Sequence, residues 1–492
     1  MPAPSLILSR LRTHALEEGT RAAISSPHAC SMGACMTYGA LWQSIVAGSS
    51  RFRPFPDRSV IMLASPNCAE YVVAFLSVLA SGHTIFPVHP QSSQREFADA
   101  ARCSGAVAIV RPSSPSCERS ELCLEEIDLA KFKPHGANGK TLADALGQLG
   151  WGDLLLQSSG TTGRPKIVHR TGSALNAVAR NVARAVGLRR DDRVLTAIPL
   201  CHSYGVESGL LAPLLAGARI LLCSGFDPAT IMTGLAQGAT VFPGVPFMFE
   251  ALANLHEGPS STLLRCAYSA GAALPRTTAA RFRDRAGPPI GQLYGSTEIG
   301  SATFMDGSDP LLCEGTVGRP MDGVEILICT VDDPDPVRPL PLHTEGHVLV
   351  HAPSMLEGYV GEAAPFVGQR YFPTGDLGYL DDRGRLFLTG RTKLQIDIAG
   401  TKVNPMEIER ILAEHPAVRE CLVVPLAVSE TVSRLKAIIV PQPDHASLDP
   451  ESLRAFIKGR VAPHKVPRQF EIRSALPRSS TGKVLRRTVS AP

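Results

Sequence analysis

None of the twelve cysteines stands in a C-x-x-C pair, the spacing from which tetrahedral zinc sites and dithiol redox centres are built. In a chain of 492 residues, cysteines this scattered read mostly as small buried hydrophobes in a reducing compartment, not as a disulfide framework. No apolar run reaches the roughly 18 residues of a membrane span. The stretch Met1 to Arg12 holds apolar Leu6-Ile7-Leu8 without an extended hydrophobic region or a cleavage site, so no secretory signal is expected. A cytoplasmic protein is the expectation. Charge is sparse too, at 19% of residues with a net +4, and no block of Lys and Arg of the kind that grips nucleic acid is present. The densest basic cluster, Lys483 with Arg486 and Arg487, is short. No internal repeat is found, and no Walker A loop. The one candidate, Thr481-Gly482-Lys483, has Pro477 where the first glycine belongs and Val484 where Ser or Thr belongs.

What the chain does hold is apolar content of 44%, enough for sizeable cores, and a length that calls for two or three folding units. Short apolar runs alternate with amphipathic stretches over the first half. Val60-Ile61-Met62-Leu63 precedes a helical segment from Ala69 to Ala80, and Thr84 to Val88 follows as the next strand. Val194 to Ile198, Arg219 to Leu222 and Thr240 to Phe242 repeat the theme, which predicts parallel α/β layers. After about residue 310, Val324 to Ile328, His347 to Val350 and Leu386 to Leu388 predict a more antiparallel, barrel-like region. A third regime starts near Arg391. It predicts a helix from Pro405 to Leu412, with Pro and Glu in its first turn, strands at Leu422 to Val424 and Ala437 to Val440, and a helix from Leu453 to Val461. The Pro/Ser/Cys-rich stretch from Arg111 to Glu118 predicts a surface loop.

The most informative segment is Ser158-Ser159-Gly160-Thr161-Thr162-Gly163-Arg164-Pro165-Lys166, directly after apolar Leu154-Leu155-Leu156. Hydroxyls and bare backbone N–H groups are the donors a polyphosphate needs, and glycine lets the backbone approach closely. A solvated turn is the plain alternative, but it does not require Thr-Thr flanked by glycines and followed by Lys166. The loop therefore points to nucleotide phosphates.

Four more motifs follow in order: Tyr294-Gly295-Ser296-Thr297-Glu298, then Tyr371-Phe372-Pro373-Thr374-Gly375-Asp376-Leu377, then Gly390-Arg391-Thr392-Lys393, then Pro477-Arg478-Ser479-Ser480-Thr481-Gly482-Lys483. Singly each has a plain reading. Asp376 could be a turn aspartate, Glu298 a capping or paired residue, Lys483 a solvated tail residue. In this order, over roughly residues 40 to 487, the five together closely resemble the adenylate-forming superfamily of acyl-CoA synthetases, luciferases and peptide-synthetase adenylation domains.

The resemblance implies an α/β fold. A large N-terminal adenylation domain (1–390) would combine parallel α/β layers with a distorted β-barrel, followed by a hinge at 391–393 and a small mobile α+β C-terminal domain (394–492). It implies a two-step ligase that uses ATP, Mg²⁺ and coenzyme A. A carboxylate attacking the α-phosphorus of ATP brings two anions together, so the site must supply positive charge and donors. By resemblance, Ser158, Ser159, Gly160, Thr161, Thr162, Gly163 and Lys166 hold the phosphates, and Thr297 bonds the α-phosphate. Glu298 holds Mg²⁺, a hard cation suited to carboxylate oxygen. Tyr294 lies against the adenine, Asp376 accepts the ribose hydroxyls, and Arg391 reaches ribose or phosphate. Lys483 bridges the substrate carboxylate and the α-phosphate as a point charge. Lys393 fits the hinge position, and a thiol channel opens near Gly400.

Pro199-Leu200-Cys201-His202-Ser203-Tyr204-Gly205 resembles the segment that borders the acyl carboxylate, which makes His202 and Tyr204 pocket candidates; a structural histidine is the alternative. Cys201 is not read as a nucleophile, because the family's intermediate is a non-covalently held acyl adenylate and no activating base is evident. Relatives that take α-amino acids carry an aspartate where Ser203 stands, so an amino-acid substrate is disfavoured. Glu207, the nearest acid, reads as a structural partner. Small Ala270, Gly271, Ala272 and Gly295, with Ser296, leave room for an aryl or medium-length acyl group. The chain departs from the family at Leu394, where many relatives are acidic, at Asp397, where many have lysine, and at Gln157, where Thr is common. The departures near the hinge leave the thiol partner open between coenzyme A and the phosphopantetheine of a carrier protein. A luciferase-like oxidation and a non-catalytic nucleotide- or acid-binding relative stay as alternatives of other classes. Retention of Glu298, Asp376, Arg391 and Lys483 together speaks against the second of these.

Overall fold

The computed structural model describes residues 5–27, 35–113, 124–133, 149–158, 166–255, 263–271, 274, 276–309, 316–331, 333–391, 396–398, 401–403, 405–429, 433–442 and 448–476. Two compact units result. The first comprises Met1–Pro90, Ala101–Gln157 and Ile167–Thr392, and the second Gln91–Ala100, Ser158–Lys166 and Lys393–Pro492.

In the first unit the predicted strand–helix–strand segment folds as read. Strand Val60–Leu63 leads through helix Ala69–Ala80 to strand Thr84–Pro87, and the two strands pair in parallel with Ile61 opposite Ile85. The helix is apolar on all sides, and every residue from Tyr71 to Ala80 is buried, as expected of a helix enclosed by a core. Its first turn is capped by the Cys68 sulfur, which accepts from the Tyr71 N–H at 3.3 Å. These strands sit inside a seven-stranded sheet ordered Gly358–Tyr359, Lys166–Arg170, Leu154–Ser158, Thr84–Pro87, Val60–Leu63, Ala106–Arg111, Glu125–Asp128. The predicted loop from Arg111 to Glu118 begins where the Ala106–Arg111 strand ends, and most of it lies outside the described residues.

A second sheet has thirteen strands. Arg193–Thr196, Arg219–Leu222, Val241–Gly244, Cys266–Ser269 and Ile290–Ser296 pair in parallel. Gly300–Met305, Thr316–Pro320, Leu386–Arg391, Phe372–Leu380, Gly346–His351 and Glu325–Cys329 follow in antiparallel succession. The switch from parallel to antiparallel comes earlier than the expected residue 310. It falls at the hairpin of Ile290–Ser296 with Gly300–Met305, because a turn this short can join only antiparallel neighbours.

The second unit is α+β. Val418–Ala427 and Ser433–Pro441 form a hairpin, with Gln469–Ile472 added in parallel and helices Pro405–Ala413 and Pro450–Lys458 alongside. Both hairpin strands extend beyond their apolar centres because pairing runs unbroken to the turn, ending at Ala427 opposite Ser433. The last helix starts three residues before the predicted Leu453. Asp449 caps it by accepting from the Glu451 N–H at 3.1 Å, and Pro450 takes the first-turn position. No helix among the described residues is long and apolar enough to cross a membrane. Of the described cysteines, Cys201, Cys223 and Cys329 are buried as expected, Cys35, Cys68, Cys266 and Cys421 are half-buried, and Cys103 is exposed.

One cross-connection positions the segment that leads to His202. Asn67, buried just after the Val60–Leu63 strand, donates from Nδ2 to the Ile198 carbonyl at 3.0 Å and accepts the Leu200 N–H at Oδ1 at 2.8 Å. Tyr71 adds a phenolic bond to the Leu200 carbonyl at 3.0 Å. Asn67 thus replaces a missing strand neighbour for irregular backbone that would otherwise hold unpaired groups in the core. Asn67→Ala strands one donor and one acceptor and is expected to cost about 2–3 kcal/mol, read as a lowered melting temperature. A melting temperature equal to that of the parent would show that the backbone finds other partners.

Candidate active site

The sequence-predicted Tyr294 to Glu298 motif occupies the end of strand Ile290–Ser296 and its turn into Gly300–Met305. Ser296 Oγ accepts from the N–H groups of Glu298 and Ile299, both at 3.3 Å, which folds Thr297 and Glu298 into a compact turn. From outside, the Leu356 N–H donates to the Glu298 carbonyl at 2.7 Å, and Ser354 Oγ donates to the Ile299 carbonyl at 2.7 Å. The Tyr359 phenol lies within hydrogen-bonding reach of the Glu298 carboxylate. Burial first, then the charge of Glu298, raise its pKa well above the ordinary tyrosine value, so it stays a donor to that carboxylate.

Gly295 is required by this hairpin, because a Cβ there would meet the Gly300 carbonyl oxygen at 2.2 Å. Gly300 has φ +69, and a Cβ would fall 2.8 Å from Arg170 Nη2. Ala270 is buried in the apolar cluster that also holds Tyr294 and Ile299. Among the described residues, the nearest neighbour of a Cβ at Gly271 is Val245 Cγ1 at 4.0 Å.

Asp376 and Tyr294 come together from elements far apart in sequence. Tyr294 donates from its hydroxyl to Asp376 Oδ2 at 2.8 Å, and both side chains are buried. The Thr374-Gly375-Asp376 stretch of the strand Phe372–Leu380 is fixed twice. The Gly375 N–H donates to His347 Nε2 at 3.0 Å, and the Asp376 N–H donates to Thr374 Oγ1 at 3.1 Å. Across the sheet, antiparallel register sets Arg391 directly opposite Asp376. The two residues expected to share the ribose are therefore cross-strand neighbours.

The Cys201 to Tyr204 segment leads into a π-helical stretch, Gly205–Leu211, unusual geometry that recurs at functional sites. His202 is half-buried. Desolvation, with His89 as a secondary cause, lowers its pKa to about 4, so the imidazole is neutral at physiological pH. Burial pushes the Cys201 thiol up to about 12, which leaves no thiolate for nucleophilic attack. Tyr204 directs its hydroxyl to the Tyr268 carbonyl at 3.3 Å.

Behind this segment lies a charged network that the motifs did not announce. Glu207, 1% exposed, accepts at Oε1 from Ser203 Oγ at 2.5 Å and from Arg170 Nη1, and at Oε2 from the Ser301 N–H at 2.9 Å and Ser301 Oγ at 2.5 Å. Glu207 read from sequence as a structural partner, and it is one. Arg170, 0% exposed, carried no signal in the sequence, because its single charge closes a strand and its partner lies 37 positions away.

Of the phosphate loop, Ser158 ends the strand Leu154–Ser158 and Lys166 begins the strand Lys166–Arg170. Ser159, Gly160, Thr161, Thr162 and Gly163 lie outside the described residues, as do Ala272, Lys393, Gly400, Lys483 and the side chain of Arg391.

The family model of AMP-binding enzymes matches residues 11–360, and that of the AMP-binding enzyme C-terminal domain matches residues 407–483. The chain belongs to the AMP-binding enzyme family. Within it the chain is of the adenylate-forming acyl-CoA synthetase type, an AMP-forming acid–thiol ligase. It is 29% identical over 468 residues to the mitochondrial malonate–CoA ligase of Mus musculus, covering 85% of this chain and 79% of that one. It is 28% identical over 492 residues to a feruloyl-CoA synthase of Amycolatopsis, covering 95% and 96%. A solved malonyl-CoA ligase in a ternary product complex with methylmalonyl-CoA and AMP superposes with TM-score 0.78 at 27% identity, covering 93% of this chain and 97% of that one.

Two measurements test the geometry of this AMP-binding enzyme. Tyr294→Phe removes the bond to Asp376, worth about 1 kcal/mol, and is expected to raise the KM for ATP roughly 5-fold with little change in the KM for the acid. Equal changes in both would separate Tyr294 from the nucleotide side. For His202, the unfolded chain takes up a proton near 6.5 and the folded one only near 4. Its contribution to stability is therefore present above pH 6.5 and is lost as pH falls from 6.5 towards 4. Melting temperature should fall less over that window in His202→Asn than in the parent.

Proposed function

We propose that the protein is an ATP-dependent acid–CoA ligase that activates an aryl or medium-chain carboxylic acid as acyl-AMP and passes the acyl group to the thiol of coenzyme A. The observation that carries this reading is the meeting of Tyr294, Asp376 and, by register, Arg391 beside the Thr297–Glu298 turn. In the first step a carboxylate oxygen of the acid bonds to the α-phosphorus of ATP, and the bond to the β-phosphate oxygen breaks, releasing pyrophosphate. Residues 158–163 with Lys166 hold the phosphates, Thr297 donates to the α-phosphate, and Lys483 balances the charge where the two anions meet. Glu298, one hard carboxylate in a fixed turn, suits Mg²⁺, which takes its other ligands from water and phosphate and would neutralise charge on the triphosphate. Tyr294 lies against the adenine, while Asp376 and Arg391 hold the ribose. In the second step the thiol sulfur bonds to the acyl carbonyl carbon, and the mixed anhydride breaks with AMP leaving. Here the small domain turns about the hinge at 391–393, Lys393 within it, and opens a channel near Gly400. A cytoplasmic location fits this use of ATP and coenzyme A.

Neutral His202 with Tyr204 would border the acyl group, and the small Gly271 supports an apolar acid of some size. The names of the relatives, ligases that use coenzyme A, favour that thiol over a carrier protein.

Pyrophosphate release across aryl, short, medium and long acids, with coenzyme A or with a phosphopantetheinylated carrier protein, tests the reading; no release with any acid would end it. Lys483→Ala is expected to lower pyrophosphate release by about 100-fold or more while still converting supplied acyl-AMP to thioester. Equal loss of both steps would remove Lys483 from the first. Lys393→Pro should do the reverse, since proline fixes the backbone angle a hinge must change.

A further inference from the structure

Asp376 stands on an irregular piece of strand, and a side chain of the neighbouring strand holds that irregularity in shape. Strands Gly346–His351 and Phe372–Leu380 pair His347 with Leu377 and Leu349 with Pro373. Between these two pairs the first strand has Val348 alone, whereas the second has Thr374, Gly375 and Asp376. The second strand therefore bulges, and a bulge bends its strand and re-aims the side chains it carries. Gly375 has φ +76, left-handed backbone that favours glycine. The neighbouring strand grips the bulge at two points. The Gly375 N–H donates to His347 Nε2 at 3.0 Å, and Thr374 Oγ1 donates to the Val348 carbonyl at 2.8 Å. His347 is itself held, buried in the sheet between Cys329 on one neighbouring strand and Leu377 on the other. An amide N–H only donates, so the imidazole serves here as an acceptor.

We infer that His347 is a positioning residue for the nucleotide: by accepting the Gly375 N–H it keeps the bulge in the shape that aims the Asp376 carboxylate at the ribose hydroxyls. This rests on the proposed role of Asp376 as the ribose acceptor. Without the acceptor at position 347 the bulge has other shapes open to it, and the carboxylate stays off target part of the time. The loss falls on the ribose contacts and leaves those to the phosphates intact.

The test is calorimetric binding of Mg·ATP and of Mg·2′,3′-dideoxyATP, which lacks both ribose hydroxyls, to the parent, His347→Leu and His347→Gln. The parent is expected to bind ATP about 30-fold or more tightly than the dideoxy analogue. In His347→Leu the Kd for ATP should rise about 10-fold, with less than about a 2-fold change for the analogue. His347→Gln, whose amide oxygen can take the place of Nε2, should restore ATP binding to within about 3-fold of the parent. Equal weakening towards both nucleotides in His347→Leu, no weakening, or a glutamine variant as impaired as the leucine one would overturn the inference. Should His347→Leu fail to fold, His347→Asn, one bond too short to reach Gly375, decides on the same ratio. A parent that binds both nucleotides alike would end the ribose role of Asp376 and the inference with it. Ribose discrimination that survives intact in His347→Leu would end the inference alone.

Discussion

A single buried carboxylate, that of Glu207, fastens three separate stretches of the first unit to one another. It takes Arg170 from the strand Lys166–Arg170, Ser203 from the segment that leads into the π-helical stretch, and both the amide and hydroxyl of Ser301 from the strand Gly300–Met305. Moving a carboxylate and a guanidinium out of water is costly, and one contact between them would not offset that. Four bonds enter Glu207, which satisfies the carboxylate, whereas Arg170 Nε and Nη2 find no hydrogen-bond partner among the described residues, so the guanidinium is satisfied only in part. Ser203 adjoins His202 and Tyr204, and Ser301 lies three residues beyond Glu298, so the network holds the His202 segment and the Thr297–Glu298 turn in one frame.

The nucleotide side has its own, smaller frame. Tyr294 and Asp376 are 82 positions apart, and a hydroxyl–carboxylate bond joins two strands of the thirteen-stranded sheet that are not neighbours in its order. The phenol serves the carboxylate as a donor and presents its ring as an apolar wall. His347 works from behind, accepting the Gly375 N–H, which requires its Nε2 to be unprotonated. The polar groups of this corner are thus committed to aiming one carboxylate.

Much of this could be read from the sequence because it is local. The strand at Val60–Leu63, the helix at Ala69–Ala80 and the strand at Arg219–Leu222 match their predicted limits, since apolar periodicity and flanking turn residues act over a few positions. The family was legible in the order of its motif residue types. What could not be read depends on partners distant in sequence. Asn67 bonding Ile198 and Leu200, Arg170 meeting Glu207, and Asp376 facing Arg391 are products of topology. The π-helical stretch Gly205–Leu211, which carries Glu207 to these partners, was not read from the sequence. The close approach of the Gly300 carbonyl to Gly295 is of the same kind: smallness in a sequence does not say which neighbour lies beside it.

That last point limits how this pocket could be remodelled. A designer seeking to narrow the cavity would turn first to its glycines, yet Gly295 already abuts the opposite strand and Gly300 adopts a backbone angle that side-chain-bearing residues rarely take. Gly271 meets no described atom closer than Val245 Cγ1 at 4.0 Å but holds φ +88, so a larger residue there would strain the chain. Retailoring toward new acids would therefore have to proceed through positions with ordinary backbone angles, and the glycines would stay as fixed points around which such a library is drawn.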